Sequence, residues 1–401
     1  MQTSRLSVFL GFLLLPGISA AQPQGSIQVW GDDSYGVVSQ TPTGSDFLEI
    51  AGGAGHSLAL KLDGSLISWG RDNYNQVSHT PAGFHFRALA AGVALHSLVL
   101  KDDGGLEAWG LDASGQVSGA PGFPGFVQAS RGRFTSYALK ADGVIVPWGD
   151  DFYNTISNTP TGPGFLQVAG GGSHSLALNG NHAIVSWGDN FFGQISGTPT
   201  ARGFIQIAAG RDHSLALRAD GALVAWGRDH YGQVSQTPTG TDFVQVSAGE
   251  DHCLALRSDG TLISWGRDTH GQVSSTPGST GFIQIAGGEF HSLALASTAP
   301  FYSILNLVGG QSATLSVAGA TPSGTVLIGY SLTGAGPTNT PYGMVAMSPP
   351  ISQLPSLTAD GHGFATTSAT IPTAVSGLTI YTQAYDASSG QLSQALARIV
   401  L

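Results

Sequence analysis

The chain has 401 residues, of which 58 are glycine and only 10% are charged, about half or less of the ~25% usual for soluble domains. High glycine with few charges fits an all-β protein with many tight turns and argues against a coiled coil or long helical bundle. A formal net charge of -10 with no basic face excludes phosphate neutralisation as the basis of function, so no nucleic-acid partner is expected.

In chain order, the first feature is a leader. Arg5 is the only charge before Asp32, Leu6 to Leu15 form an apolar core, and Ser19-Ala20-Ala21 offers a peptidase site. Residues 1–21 therefore read as a signal peptide, with a secreted, cell-surface or periplasmic destination. Ten apolar residues are too few for a membrane span of roughly 20 residues, and no later segment is long enough either, so no membrane span is expected. Cys253, the single cysteine, allows no internal disulfide. It occupies a column filled elsewhere by Ser57, Ser97, Ser136, Ser175, Ser214 and Ser292, which points to a small buried residue and not a nucleophile.

Residues 25–296 are a repeat array. Trp-Gly pairs at Trp30, Trp69, Trp109, Trp148, Trp187, Trp226 and Trp265 recur every 39 or 40 residues. Six positions after each Trp stands Gly or Asn, from Gly36 and Asn75 to Gly271, which predicts a turn with φ > 0. Three positions after each Trp stands Asp, or Asn190 once, expected to close that turn by bonding the backbone two residues on. A proline twelve positions after each Trp ends any strand there. Phe47 and its counterparts open a first strand of period two, and His213-Ser-Leu-Ala-Leu typifies a second. Asp63-Gly64 and its counterparts predict a hairpin into a third strand that ends in Trp-Gly. A short fourth strand is expected at Gln-Val-Ser, giving four strands per repeat, the composition of a propeller blade. The segment Gly25 to Trp30 matches a third strand, and the last repeat stops at Leu295 before its own, so the N-terminus is expected to complete the seventh blade and close the ring.

After a short linker at 297–301, residues 302–401 contain only Asp360, Asp386 and Arg398 as charges and no Trp. Alternating runs beginning at Ser312, Gly324, Gly363 and Leu378 predict seven or eight strands in an immunoglobulin-like β-sandwich. The fold class expected overall is all-β, a closed seven-bladed β-propeller followed by that sandwich.

The pattern Ala-Ala-Gly-x-x-His-Ser-Leu-Ala-Leu-x-x-Asp-Gly-x-Leu-x-x-Trp-Gly at Ala208 to Gly227 resembles the repeat of the regulator of chromosome condensation superfamily. The copies are similar to its bacterial branch, which includes a propeller-type β-lactamase inhibitor. The resemblance implies a seven-bladed propeller that binds proteins. The guanine-nucleotide exchange of eukaryotic members does not carry over, because that activity needs a wedge inserted in one blade and the 39- or 40-residue spacing leaves no room for it.

His56, His96, His174, His213, His252 and His291 share one column, with Thr135 in the seventh place. Neighbouring blades stand on the order of 10 Å apart, too far for a shared coordination shell of ~2 Å. The column therefore reads as packing, with a hydrogen bond to a backbone carbonyl next door, and no metal is expected. The Asp column lacks the clustered oxygens of a calcium loop. No catalytic constellation and no cofactor motif stand out, so a non-enzyme is expected. A hydrolase or metal-dependent enzyme would require a deep axial pocket gathering acidic and His side chains.

The loops after strands one and three should emerge on one face, which carries the candidate partner-binding residues: Tyr35, Tyr74, Phe134, Tyr153, Phe192, Arg211, Tyr231, Asp251, His270 and Phe290. Aromatics and Arg among variable positions characterise recognition surfaces, although the same rings could pack between blades. The expected function is a monomeric, exported, non-catalytic scaffold for an extracellular protein. The alternatives are a carbohydrate-binding or structural cell-envelope protein, and an inhibitor of a secreted enzyme such as a β-lactamase. Against the inhibitor, only Phe134 and Phe290 are aromatic in the column before the histidines, where the inhibitor it resembles relies on aromatics.

Overall fold

The computed structural model describes residues 25–297 without interruption, and then 301–305, 312–318, 325–331, 338–340, 343–345, 352–353, 356–359, 365–370, 379–386, 391–392 and 396–399. The leader expected over 1–21 and most of the linker lie outside the described residues. Every regular element described is a β-strand, so no described helix is long and apolar enough to cross a membrane.

β1 spans Gly25–Gly31. Three strands per repeat follow: β2 (Phe47–Gly52), β3 (His56–Lys61) and β4 (Leu66–Gly70), then β5 (Phe86–Leu89), β6 (His96–Lys101) and β7 (Leu106–Gly110). Next come β8 (Phe126–Arg131), β9 (Thr135–Lys140) and β10 (Ile145–Gly149), then β11 (Phe165–Gly170), β12 (His174–Asn179) and β13 (Ile184–Gly188). The series continues with β14 (Phe204–Ala209), β15 (His213–Arg218) and β16 (Leu223–Gly227), β17 (Phe243–Ala248), β18 (His252–Arg257) and β19 (Leu262–Gly266), and ends with β20 (Phe282–Gly287) and β21 (His291–Ser297). Each triplet is an antiparallel meander, and β20 and β21 gain their third strand from β1. β1 pairs with β21 over its whole length, Ile27 opposite Leu295 and Trp30 opposite Ser292. The same Trp–Ser register holds within the repeats, as at Trp69 and Ser57. One bridge, Gly25 to Phe47, also links β1 to β2.

The expected fourth strand is absent from these repeats. Its residues form a run of tight turns, in which the Gln40 amide donates to the Gly36 carbonyl (2.9 Å) and the Thr41 amide to that of Val38 (3.2 Å). The Asp column explains why. Asp33 Oδ1 accepts from the amides of Val38 and Ser39, five and six residues on and not the expected two (2.8 and 2.9 Å). Those amides are therefore unavailable to a strand ladder, and the same bonds hold Asp33 below the usual carboxylate range. The turn itself follows expectation: φ is +75° at Gly36, +64° at Asn75 and +56° at Asn154.

Successive repeats are stitched together by three columns. Each Trp indole donates to a backbone carbonyl in the turn run before it, as Trp69 to Val37 (2.8 Å) and Trp226 to Gln194 (2.9 Å). Trp30 makes the same bond to Gln272, 242 residues away (3.0 Å). In the first strands a Gln side chain takes the amide and reaches the carbonyl of one residue in the next first strand. Gln128 does so on Val168 (3.0 and 3.1 Å), and Gln206 on Val246 (2.9 and 3.0 Å). Gln284 does so on Ile50, joining the last first strand to the earliest. In one repeat Glu49 stands in the column and accepts from the Leu89 amide (2.9 Å); in the next, where the column has Ala88, the adjacent Arg87 donates to the Phe126 carbonyl (2.8 Å). Phe47, Phe126, Phe204, Phe243 and Phe282 are fully buried between neighbouring sheets, each contributing roughly 1.5–3 kcal/mol of burial.

Arg131 departs from its column, where other repeats have Gly or Ala. It is completely buried and donates to the carbonyls of Ala90 (3.1 Å), His96 (2.6 Å) and Gly52 (3.3 Å), so one guanidinium ties three repeats together. Burial pulls its pKa down to about 10, still charged at neutral pH.

Beyond residue 300, β22 (Phe301–Leu305), β23 (Ser312–Ala318) and β24 (Thr325–Ser331) precede β25 (Thr338–Thr340), β26 (Gly343–Val345), β27 (Ser352–Gln353) and β28 (Leu357–Thr358). β29 (Ala365–Thr370), β30 (Thr379–Asp386), β31 (Gln391–Leu392) and β32 (Leu396–Ile399) complete the series, more strands than the seven or eight expected. One sheet runs β22–β23–β29 and another centres on β24 and β30. The four alternating runs read from the sequence correspond to β23, β24, β29 and β30.

Candidate functional site

The face proposed from the sequence is built by two loops per repeat, and backbone bonds hold them side by side. The amide of Arg71, just after β4, donates to Gly55 in the loop after β2 (2.8 Å). Arg228 and Arg267 donate in the same way to Asp212 and Asp251 (both 2.9 Å). The Tyr74 amide is then fixed by Gln76 Oε1 and the Tyr231 amide by Gln233 Oε1 (both 2.8 Å), which sets the aromatic residue at the rim.

Beneath the rim lies the histidine column. The bond is not to a backbone carbonyl, as expected, but to the hydroxyl of the neighbouring repeat. His56 Nε2 meets Ser97 Oγ (3.0 Å), His96 meets Ser136 (2.8 Å), His174 meets Ser214 (2.8 Å), His252 meets Ser292 (2.9 Å) and His291 meets Ser57 (2.8 Å). His213 meets the thiol of Cys253 (3.2 Å). Where Thr135 replaces histidine, the Tyr137 hydroxyl takes the part and is hydrogen-bonded to Ser175 Oγ (2.7 Å). The Gly column before these histidines exists because a Cβ at Gly53 or Gly249 would overlap the imidazole. Burial holds the pKa of His96, His174 and His252 at about 3 and of His213 and His291 at about 4. A Ser–His pair suggests nucleophilic catalysis, but these pairs are almost completely buried. Ser136 and Ser292 also donate to the carbonyls of Gln116 and Gln272 (both 3.2 Å), so each imidazole there is the donor and no base. Burial raises the Cys253 thiol well above its usual range, which leaves no thiolate. No cluster of three His, Cys, Asp or Glu able to hold a metal occurs among the described residues.

The sequence-proposed aromatics occupy the rim and are half exposed: Tyr35 41%, Tyr74 40%, Tyr153 43%, Phe192 40% and Tyr231 36%. Each ring has one surface facing solvent and the other packed within the rim. For four of them the packing partner is an arginine. Arg71 lies over Tyr35 (5.0 Å) and Tyr74 (5.7 Å), Arg228 over Phe192 (5.1 Å) and Arg267 over Tyr231 (5.2 Å). Arg267 also covers Phe290 (4.8 Å), which stacks on the exposed His270 (5.1 Å), and Arg133 covers Phe134 (5.5 Å).

Asp251 is a correction: it is 2% exposed and pairs with Arg267 (3.3 Å) and Arg228 (3.7 Å), so it orients the rim from below and offers no contact surface. Arg211 is half exposed but engaged, with Glu250 (2.9 Å) and Asp212 (3.6 Å). Arg133 reaches the same Glu250 (3.7 Å). Burial, with Glu289 nearby, pushes Glu250 up to about 7.

Two residues were missed. Phe152 and Phe191 are 77% and 83% exposed and pack edge-on against Tyr153 (4.9 Å) and Phe192 (4.8 Å). The signal was present, since only these two repeats have Phe four positions after Trp. Phe191 borders a cleft of about 600 Å³ with Tyr153, Asp189, Phe134, Arg133 and Arg211.

The model of the regulator of chromosome condensation (RCC1) repeat matches residues 47–76, 165–194, 204–233 and 243–272. No curated protein matches significantly. Among solved structures, Prp20p from Saccharomyces cerevisiae is 20% identical, with a TM-score of 0.58 over 69% of this chain and 92% of that one. Human WBSCR16 is 17% identical, with a TM-score of 0.56 over 68% of this chain and 99% of that one. The ectodomain of the Physcomitrella patens receptor kinase CR4 is 22% identical, with a TM-score of 0.51 over 61% and 74%. These likenesses establish a propeller-like fold.

Proposed function

Given that the chain carries regulator of chromosome condensation repeats, we propose that it is an exported, non-catalytic scaffold whose rim of loop aromatics binds an extracellular protein. The carrying observation is the concentration on one face of half-exposed Tyr and Phe held in place by arginines, the residue types that dominate binding hot spots. A closed seven-bladed ring is part of this reading and is supported by the β1–β21 pairing and by the bonds from Trp30 to Gln272 and from Gln284 to Ile50. Export is supported by the leader at 1–21, and the strands after residue 300 are read as an accessory immunoglobulin-like sandwich. Prp20p, of the same fold, has been studied for binding to Gsp1p and histones, so protein recognition is a use to which such a fold is put.

The test is capture of partners from the organism's exported and surface fractions, comparing the wild type with a variant carrying Tyr74→Ala, Tyr153→Ala and Tyr231→Ala. Loss of capture by the folded variant is expected, and equal capture removes this face from consideration. A β-lactamase assay decides the inhibitor alternative, which stands only if sub-micromolar protein slows hydrolysis.

A further inference from the structure

The rim contains its own template for what it lacks. Two positions after Trp, three repeats carry an arginine that lies over the rim aromatic of the repeat before it: Arg71 over Tyr35, Arg228 over Phe192 and Arg267 over Tyr231. At Tyr153 this rule breaks. The residue two positions after the next tryptophan, Trp187, is Asp189, so a carboxylate stands where those three repeats supply the covering cation; the column's other members are Asp32, Leu111 and Asp150. Tyr153, Asp189 and Phe191 together border the cleft. Among the described residues Asp189 has no ion-pair partner; its oxygens accept only the Phe191 amide (3.2 Å) and Gln194 Nε2 (3.3 Å). The two arginines of the cleft are already paired with Glu250 and Asp212.

We propose, resting on the binding role above, that this cleft takes an arginine side chain of the partner protein, its guanidinium stacked on Tyr153 beside Phe191 and paired with Asp189. The visiting guanidinium occupies the place that Arg71, Arg228 and Arg267 fill in three other repeats. Arginine suits the site better than lysine, because a planar guanidinium stacks on a ring face while donating two parallel hydrogen bonds to a carboxylate.

The experiment uses the full chain, with its Phe and Tyr rings isotopically labelled, titrated with N-acetylarginine amide and followed by NMR. The neutral isostere N-acetylcitrulline amide is the control. Saturable shifts at Tyr153 and Phe191 are expected, with citrulline binding about fivefold weaker or worse. Asp189→Arg, which restores the covering arginine, and Asp189→Asn should each weaken the arginine probe by a similar factor, while Tyr231→Ala should not. Equal binding of the two probes, absence of saturation, or full binding by Asp189→Arg overturns the proposal. In the capture experiment, Asp189→Arg and Phe191→Ala separate the two ideas. Capture lost only in the triple tyrosine variant sinks the arginine site alone, and capture kept by every variant sinks the binding face itself.

Discussion

The indole nitrogen of Trp30 donates to the carbonyl of Gln272, 3.0 Å away in space and 242 residues away in sequence. The same bond recurs at the six other tryptophans, where it spans 32 or 33 residues. The first strand therefore does for the last repeat what each third strand does for its own.

Removing that strand should be more damaging than removing any one side chain. Trp30→Phe takes from the Gln272 carbonyl one of its two donors, the Ser292 hydroxyl remaining at 3.2 Å, and should cost about 0.5–1.5 kcal/mol. Trp30→Ala should cost about 3–5 kcal/mol. Deletion of 25–31 exposes the edge of β21 along its length and should unfold the last repeat. Urea denaturation, with protease sensitivity mapped near residues 282–297, checks the order.

Cys253 stands in a serine column and bonds His213 through sulfur at 3.2 Å. Cys253→Ser keeps a partner for the imidazole and should change stability by less than about 1 kcal/mol. Cys253→Ala strands His213 Nε2 in a buried site and should cost about 1–3 kcal/mol. A serine variant as unstable as the alanine one would mean that the contact is only packing.

Two titrations of opposite sign should shape the pH dependence. The column histidines are neutral in the fold, with pKa values of about 3 to 4 against ~6.5 when unfolded. The unfolded chain binds more protons below pH ~6.5, so the stability they contribute is fully present above that pH and lost as pH falls towards 3 to 4. Glu49 is the converse, raised by burial to about 8. Its contribution is complete below its unfolded pKa of ~4.3 and is lost as pH rises through 8. Glu49→Gln, which restores the residue of the column, should thus be near neutral at pH 4 and stabilising by about 1–2 kcal/mol at pH 8. Urea midpoints from pH 4 to 9 test both, and an unchanged difference between Glu49→Gln and wild type across that range would refute the second.

Arg131 serves three buried carbonyls from the two preceding repeats. Arg131→Ala should cost about 3 kcal/mol or more, because the carbonyls lose their donor with no water to replace it. Arg131→Lys should recover little, since an ammonium cannot match the spread of the guanidinium fork. A lysine variant with wild-type thermal stability would show that charge alone suffices.

The sequence alone determined whatever depends on backbone conformation or repeat period. Positive φ at Gly36 and Asn75, the Asp-Gly hairpins, the burial of Cys253 and the pairing of β1 with β21 were all legible, because each needs only a residue's own steric range or the match of one repeat to another. Tertiary structure decided what depends on a partner about 40 residues away or several residues further round a loop. Asp33 caps amides five and six residues on, which converted an expected strand into turns, and the histidines chose a neighbour's hydroxyl over a carbonyl. It also decided the rim. Asp251 and Tyr231 look equally available in sequence, yet packing buries the acid under Arg267 and leaves the ring half exposed, because the pairing with Arg267 and Arg228 offsets much of the cost of burying the carboxylate.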